Sequence, residues 1–317
     1  MVSDRQAPPS TQGDPTELRR GFLLGLAAYG MWGAFPLYFP LLEPAGAVEL
    51  LAQRVLWSAA TMVLLLVGLR KVRPLRRILR DRRRVGLLLV AACVIAVNWG
   101  VFIWGTTNGR VIEVSLGYFV NPLVTVLIGV LVLRERLRPL QWAALAFAGV
   151  AVLLLTLDYG RPPWVSLALA FSFGTYGLVR KLAGVGAIEG LTFESLALAP
   201  LAGAYVGWLA ATGASTFGTE GPVHALLLAS AGLVTAVPLL CFGAAATRVP
   251  LVTIGLLQYV APTLQFLLGL FVFGEDMPAE RWIGFSLVWL ALVLLTAETL
   301  GHRRRTRRAA VAVPEVA

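Results

Sequence analysis

The sequence predicts an all-α integral membrane protein of ten transmembrane helices, built as two inverted five-helix repeats. Three observations predict it. First, 58% of the 317 residues are hydrophobic, only 14% are charged, and the mean hydropathy is +0.77, against roughly 45–50% apolar residues in ordinary soluble domains. Second, apolar runs near the roughly 20 residues needed to cross a bilayer follow one another with short links. Third, the stretch Leu116–Thr156 is written again at Leu256–Thr296 with an offset of 140 and no gap. Pro122/Pro262, Gly129/Gly269, Glu135/Glu275 and Trp142/Trp282 coincide, residue types that are scarce in apolar helices and that set backbone or interfacial positions.

In chain order, residues 1–20 are polar and proline-containing and read as a disordered cytoplasmic tail. Apolar runs follow at about 21–42, 48–69, 85–105, 111–133 and 140–157, making a first repeat over 21–157. Runs at 164–180, 190–211, 223–246, 251–273 and 281–299 make a second over 158–299, and 300–317 is a basic cytoplasmic tail. Arg19-Arg20 before an apolar stretch has the look of an export signal, but the run continues to Leu42 without a cleavage site and reads as an uncleaved first span. The match between halves reaches their early helices, with Glu49/Glu189 and Leu56/Leu196 at the same offset.

Lys and Arg gather in the N-terminal tail, in the 70–84 loop, at Arg134, Arg136 and Arg138, at Arg180 and Lys181, at Arg248, and after Gly301. Arg110, Arg161 and Arg281 lie on the other side. By the positive-inside rule both termini are cytoplasmic, and the protein is expected to be multi-pass in the plasma (inner) membrane. An odd number of spans per half inverts the second copy, a device of secondary carriers that rock one half against the other around a midplane site. The net charge of +10 is thereby assigned to topology, and nucleic acid is not expected as a partner. The expected partners are a small-molecule solute and the lipid bilayer. Gly21/Gly25 and Gly203/Gly207 are spaced for close helix approach, within the chain first and in a possible homodimer second.

Two lone His, two Cys inside apolar runs, and no nucleotide or hydrolase motif exclude a metal site, a cofactor and an enzyme on sequence grounds. Ionisable groups inside spans mark function or a structural pair. Arg54 and Glu194, separated by the same 140 residues, are expected to approach each other; two separate residues with local partners are the alternative. Asn121 before Pro122, Gln258 and Tyr259 before Pro262, Tyr118, Asn98, Gln265, Trp32, Trp99 and Trp104 complete an expected solute site of amides and aromatics. Helix-to-helix bonding or interfacial anchoring explains any one of them equally well.

The words around these residues are familiar. Tyr29–Phe39, Glu49–Ser58, Asn98–Trp104, Ser115–Leu123, Gly177–Lys181 and Gln258–Leu264 resemble the RarD-type branch of the EamA family in the drug/metabolite transporter superfamily, over nearly all of 21–298. The resemblance implies ten helices in two EamA repeats and transport of small organic solutes such as metabolites, amino acids or drugs. Many relatives are expected to carry His before the equivalent of Arg54, where this chain has Gln53. A proton-coupling role would then fall to Glu194, Glu49 or Glu113. The expectation is a permease or exporter working by alternating access; a structural or sensory membrane protein without solute flux is the alternative.

Overall fold

The computed structural model describes residues 15–70, 72–134 and 137–311, and among them every regular element is helical. The helices are α1 (Pro15–Tyr38, extended by a 3-10 turn Phe39–Leu42), α2 (Ala47–Gly68), α3 (Val72–Leu79), α4 (Arg82–Thr107), α5 (Val111–Leu133) and α6 (Pro139–Tyr159). The chain continues with α7 (Trp164–Ala183), α8 (Ala187–Thr212), α9 (Pro222–Ala246), α10 (Leu251–Leu257), α11 (Val260–Leu267, continued by a π turn Leu268–Val272) and α12 (Ala279–Val311). Nine spans among the described residues are long and apolar enough to cross a membrane, with α10, α11 and the π turn counting as one. The exception among the ten expected runs is α7, whose Ser, Gly, Tyr, Arg and Lys content dilutes an otherwise sufficient length of 20 residues.

Large apolar side chains point outward all round the bundle, Leu64, Leu131, Leu157, Leu201, Val223 and Phe271 among them. A lipid solvent explains this pattern, since it makes no demand to bury hydrocarbon and only requires that backbone groups be satisfied within each helix. Cys93 on α4 is one of the outward-facing residues and Cys241 on α9 is half-buried, both inside apolar helices.

Several boundaries differ from the sequence reading. Residues 15–20 belong to α1, because Pro15 suits a first helical turn; residues 1–14 of the expected tail lie outside the described residues. Residues 301–311 continue α12, while 312–317 lie outside. The basic stretch 70–84 contains α3, whose Leu75 and Ile78 are buried at i,i+3 spacing while its arginines stay outside. Asp81 then caps α4, accepting from the Arg83 and Arg84 amides at 3.1 and 3.2 Å.

The ninth run is broken at Gln258–Tyr259, close to Pro262, which cannot donate to the carbonyl one turn before it.

Helix pairing follows a regular scheme. The close neighbours are α5 with α7 and α1 with α11, α4 with α7 and α1 with α9, α4 with α8 and α2 with α9, and then α2 with α8, α6 with α12 and α5 with α11. The α6/α12 pair is antiparallel and tied at both ends. Arg138 meets Glu298 at 3.1 Å where α6 begins, and Arg281 meets Asp158 at 2.7 Å where α12 begins. The α2/α8 pair is antiparallel as well, because Ala52 and Val55 cluster with Ala202 whereas Met62 clusters with Leu191.

Small residues allow the closest approaches. A β-carbon on Gly33 would press on Leu264, and one on Gly232 would enter the α2 backbone at Trp57. Gly21 and Gly25 seat α1 on Arg248, Val249 and Leu257, and Gly203 meets Leu56, whereas Gly207 faces open space. Three of the four expected small-residue contacts are therefore within the chain.

Candidate functional site

Arg54 sits on the seventh residue-step of α2 beyond Ala47, and the inward face of α2 buries Gln53, Arg54 and Ser58 together. The guanidinium is 7% exposed. Its Nε donates to Thr235 Oγ1 of α9 at 3.1 Å, and its carbon lies 4.4 Å from the Trp99 ring centroid on α4 and 5.6 Å from that of Phe35 on α1. A small cavity opens beside it, lined by Phe35, Tyr38, Gln53, Arg54, Val234 and Thr235 together with neighbouring aliphatic side chains. Four helices from both halves of the sequence thus meet around one cation.

Glu194 lies in a second polar cluster. Its carboxylate, 1% exposed, accepts from Arg180 Nη1 at 3.2 Å and from the Tyr176 hydroxyl at 3.1 Å. Arg180 also donates to the Gly186 carbonyl at 3.1 Å, and its guanidinium rests where a side chain on Gly190 would be. The expected approach of Arg54 to Glu194 is therefore corrected: among the described residues each has its own partners and no ion pair joins them. The α2/α8 register explains it. With residues 52–55 level with Ala202 and residue 62 level with Leu191, Glu194 stands five to nine residues, roughly 7–13 Å, along the axis from Arg54. Halves related by inversion would place equivalent positions at equal depths from opposite faces, which coincide only at the midplane.

The other two candidates for proton coupling, Glu49 and Glu113, hold backbone. Glu49 accepts from the Thr216 amide at 2.9 Å and Ser215 Oγ at 3.3 Å. Glu113 accepts from the Val165 amide at 3.1 Å, at the start of α7, and pairs with Arg161 at 3.0 Å and Arg110 at 3.5 Å. Asn98 also binds internally, donating to the Leu169 carbonyl and Ser172 Oγ at 3.2 and 3.0 Å while accepting from the Tyr118 hydroxyl at 3.2 Å. It ties α4 to α5 and α7.

A 56% identical relative, described as "Protein RarD" from Streptomyces exfoliatus, aligns over 95% of this chain and 96% of its own length. This chain is a RarD-type member of the EamA-like transporter family. The profile of that family matches residues 19–157. "Protein RarD" of Escherichia coli is 41% identical over 93% of this chain and all of its own. "Uncharacterized transporter PA0485" of Pseudomonas aeruginosa is 44% identical over 91% and 97%. A solved crystal structure superposes with a TM-score of 0.55 over 86% of this chain and 96% of that one, at 18% identity, which is a likeness of fold. The protein is accordingly a multi-pass membrane transporter, in keeping with the family description and with the name of the Pseudomonas aeruginosa relative.

In this RarD-type chain the expected solute residues do not form one group. Arg54 and Trp99 share the cavity region with Gln53. Trp32 stacks against Tyr29 and Phe242, and its carbonyl accepts from Gln265 Nε2 at 3.2 Å. Tyr259 packs into the apolar cluster of α5, α6 and α12, and Gln258 is half-buried at the helix break. Asn121 Oδ1 and Gln265 Oε1 are buried without partners. Trp104 is remote from the cavity: it stacks on Trp164 and Arg110 where α4 ends, an interfacial setting suited to an aromatic ring with a polar edge. The sequence reading passed over Phe35, Tyr38 and Thr235 around Arg54, and took Arg180 only as a topology signal. Tyr176 and Arg180 stand at i,i+4 on one face of α7, a signal that was open to reading.

Proposed function

We propose that this transporter is a secondary-active permease or exporter of a small organic solute such as a metabolite, amino acid or drug. It works by alternating access between two inverted five-helix halves, 21–157 and 158–299, in the plasma (inner) membrane with both termini cytoplasmic. The observation that carries this reading is the helix pairing. Exchanging each helix with its counterpart at the 140-residue offset (α1 with α7, α2 with α8, α4 with α9, α5 with α10 and α11, α6 with α12) turns the main pairs into one another or into themselves. Counterparts that touch, α2/α8 and α6/α12, run antiparallel, as a two-fold axis lying in the membrane plane requires.

Individual contacts support the same relation. Gly117 packs on Leu169 and Leu257 packs on Gly25; 117 and 257 are 140 apart and 25 and 169 are 144 apart, the spacing at which α1 matches α7, so the contact is kept while the glycine has changed sides. Asp158 and Glu298, one offset apart, each hold an arginine of the opposite helix. The family profile, matching 19–157, spans one such half. We assign solute contact to the Arg54 cavity, where α1, α2, α4 and α9 converge, with Trp32, Trp99, Tyr118, Asn121, Gln258, Tyr259 and Gln265 on the path through the bundle. Glu194 is the proposed proton carrier, since Glu49 and Glu113 are engaged with helix and loop amides.

Counterflow in vesicles reconstituted with the purified protein tests the reading. Uptake of labelled solute against preloaded unlabelled solute, abolished by a bulky substitution at Gly33 between α1 and α11, is the expected result. Saturable binding with no flux in the same vesicles would replace the carrier with a sensor.

A further inference from the structure

A buried guanidinium with one hydrogen bond is costly. Moving a charge out of water is tolerated where it is paired, and an arginine inside a bundle ordinarily finds a carboxylate. Arg54 does not. Among the described residues its only side-chain hydrogen bond is from Nε to Thr235; it also meets the faces of Trp99 and Phe35 and lies near the Tyr38 and Tyr118 hydroxyls. The acid one turn before it, Glu49, faces the Ser215–Thr216 loop, and Glu194 is held by Arg180 and Tyr176. The two terminal nitrogens of Arg54, the fork that matches a carboxylate in a bidentate pair, make no hydrogen bond among the described residues, beside the cavity that the residue lines.

A second donor is in the same state. Gln53 uses Oε1 to accept from Trp57 Nε1 at 3.2 Å, and its Nε2 is buried with no partner. Gln53 is 3% exposed and lines the same cavity. The cavity therefore holds N–H donors in surplus, no carboxylate, and walls of Phe35, Phe39 and aliphatic side chains. Donor surplus with positive charge and apolar walls selects an organic anion with an apolar body.

We propose that the solute is a carboxylate-bearing organic acid, its carboxylate bound by the terminal nitrogens of Arg54 with Gln53 Nε2 as a second donor and its apolar part against Phe35 and Phe39 once the halves move apart, since the cavity in this conformation measures about 10 Å³, room for one water. This rests on the carrier reading for the site's use, and it adds the charge class that the reading leaves open. The same geometry gives Gln53 a positive role, since an amide donates to an anion in either proton state of the surroundings.

The test uses the purified full-length protein and three probes, benzoate, 3-phenylpropanoate and indole-3-acetate, each with its uncharged amide and its amine analogue. Thermal melting is expected to rise with the carboxylates and to stay level with the amides and amines. Arg54→Gln is expected to weaken the carboxylate response about ten- to hundredfold, the loss of a charge-assisted pair, with Arg54→Lys in between and Gln53→Leu weaker than wild type. The proposal is overturned if the amides or amines stabilise as well as the acids, if none of the three acids stabilises, or if Arg54→Gln binds them as tightly as wild type. Should Arg54→Gln fail to fold, the comparison of acid, amide and amine on the wild-type protein decides alone. Vesicle counterflow separates the two readings: an acid that binds but is not carried removes the carrier and keeps the anion site, whereas flux of amide or amine with the acids excluded does the reverse.

Discussion

The buried Arg54 and the partly buried Arg180 have opposite fates, and side-chain context accounts for both. Arg180 is matched to Glu194, with side-chain exposures of 15% and 1%, so removing one partner strands a charge in the interior. Arg180→Gln or Glu194→Gln is expected to cost about 3 kcal/mol, and the Arg180→Gln/Glu194→Gln double variant less than the sum of its singles. Melting of the four proteins in detergent checks this; additive losses would remove the pair. The same cycle on Arg54 and Glu194 is expected to return a coupling near zero. Glu275 stands outside the spans, accepting from the Ile112 amide at 3.0 Å and from the Val111 amide at the start of α5. Burial raises its pKa above the ordinary carboxylate range, against the lowering effect of those two amides. A raised folded pKa means the group's contribution is fully present below the unfolded pKa and is lost as pH rises through the folded one. The melting advantage of wild type over Glu275→Gln should therefore shrink as pH increases across that window, and an advantage that grows instead contradicts the assignment.

At the level of elements, contact between α1 and α11 depends on the absence of a side chain. Gly33→Val forces a branched side chain against Leu264 and the Ala261 carbonyl, whereas Gly30, three residues earlier, has open space around it. Gly33→Val is expected to lower stability by about 1–3 kcal/mol through overpacking. Gly30→Ala is expected to be neutral or to gain about 0.5–1 kcal/mol from helix propensity. Parallel melts decide, and equal losses would mean that α1 does not seat on α11 in this way. Element boundaries were open to sequence reading to within a few residues, because a span is a local property of hydropathy and length. What escaped was α3, whose apolar residues at 75 and 78 are too few to stand out among nine basic neighbours, and the break at Gln258–Tyr259, where continuous hydropathy conceals a discontinuous backbone.

For the molecule as a whole, the proposed inverted arrangement makes a topological prediction. Single cysteines replacing Glu135 and Asp276, in a background lacking Cys93 and Cys241, should react with an impermeant thiol reagent from opposite sides of intact membrane. Glu135 lies outside the described residues, and Asp276 lies in the turn before α12; labelling from one side would end the two-fold relation. The ion pairs that close both ends of α6/α12 lie at the rim and are half-exposed on their arginine side, so each contributes no more than about 1 kcal/mol. Their role is register.

The sequence alone determined the membrane class, the spans and the 140-residue repeat, since lipid demands long apolar helices and a duplication leaves its register in the order of residues. It also singled out Arg54 and Glu194 as the costly charges. Only the tertiary structure decided their partners: Arg180 folds back from α7 to Glu194 across the short 184–186 link, while Arg54 meets Thr235, Trp99 and Phe35. That choice depends on how antiparallel helices slide against each other by a turn or so, and such a shift is set by packing between helices distant in sequence, which no single stretch of chain records.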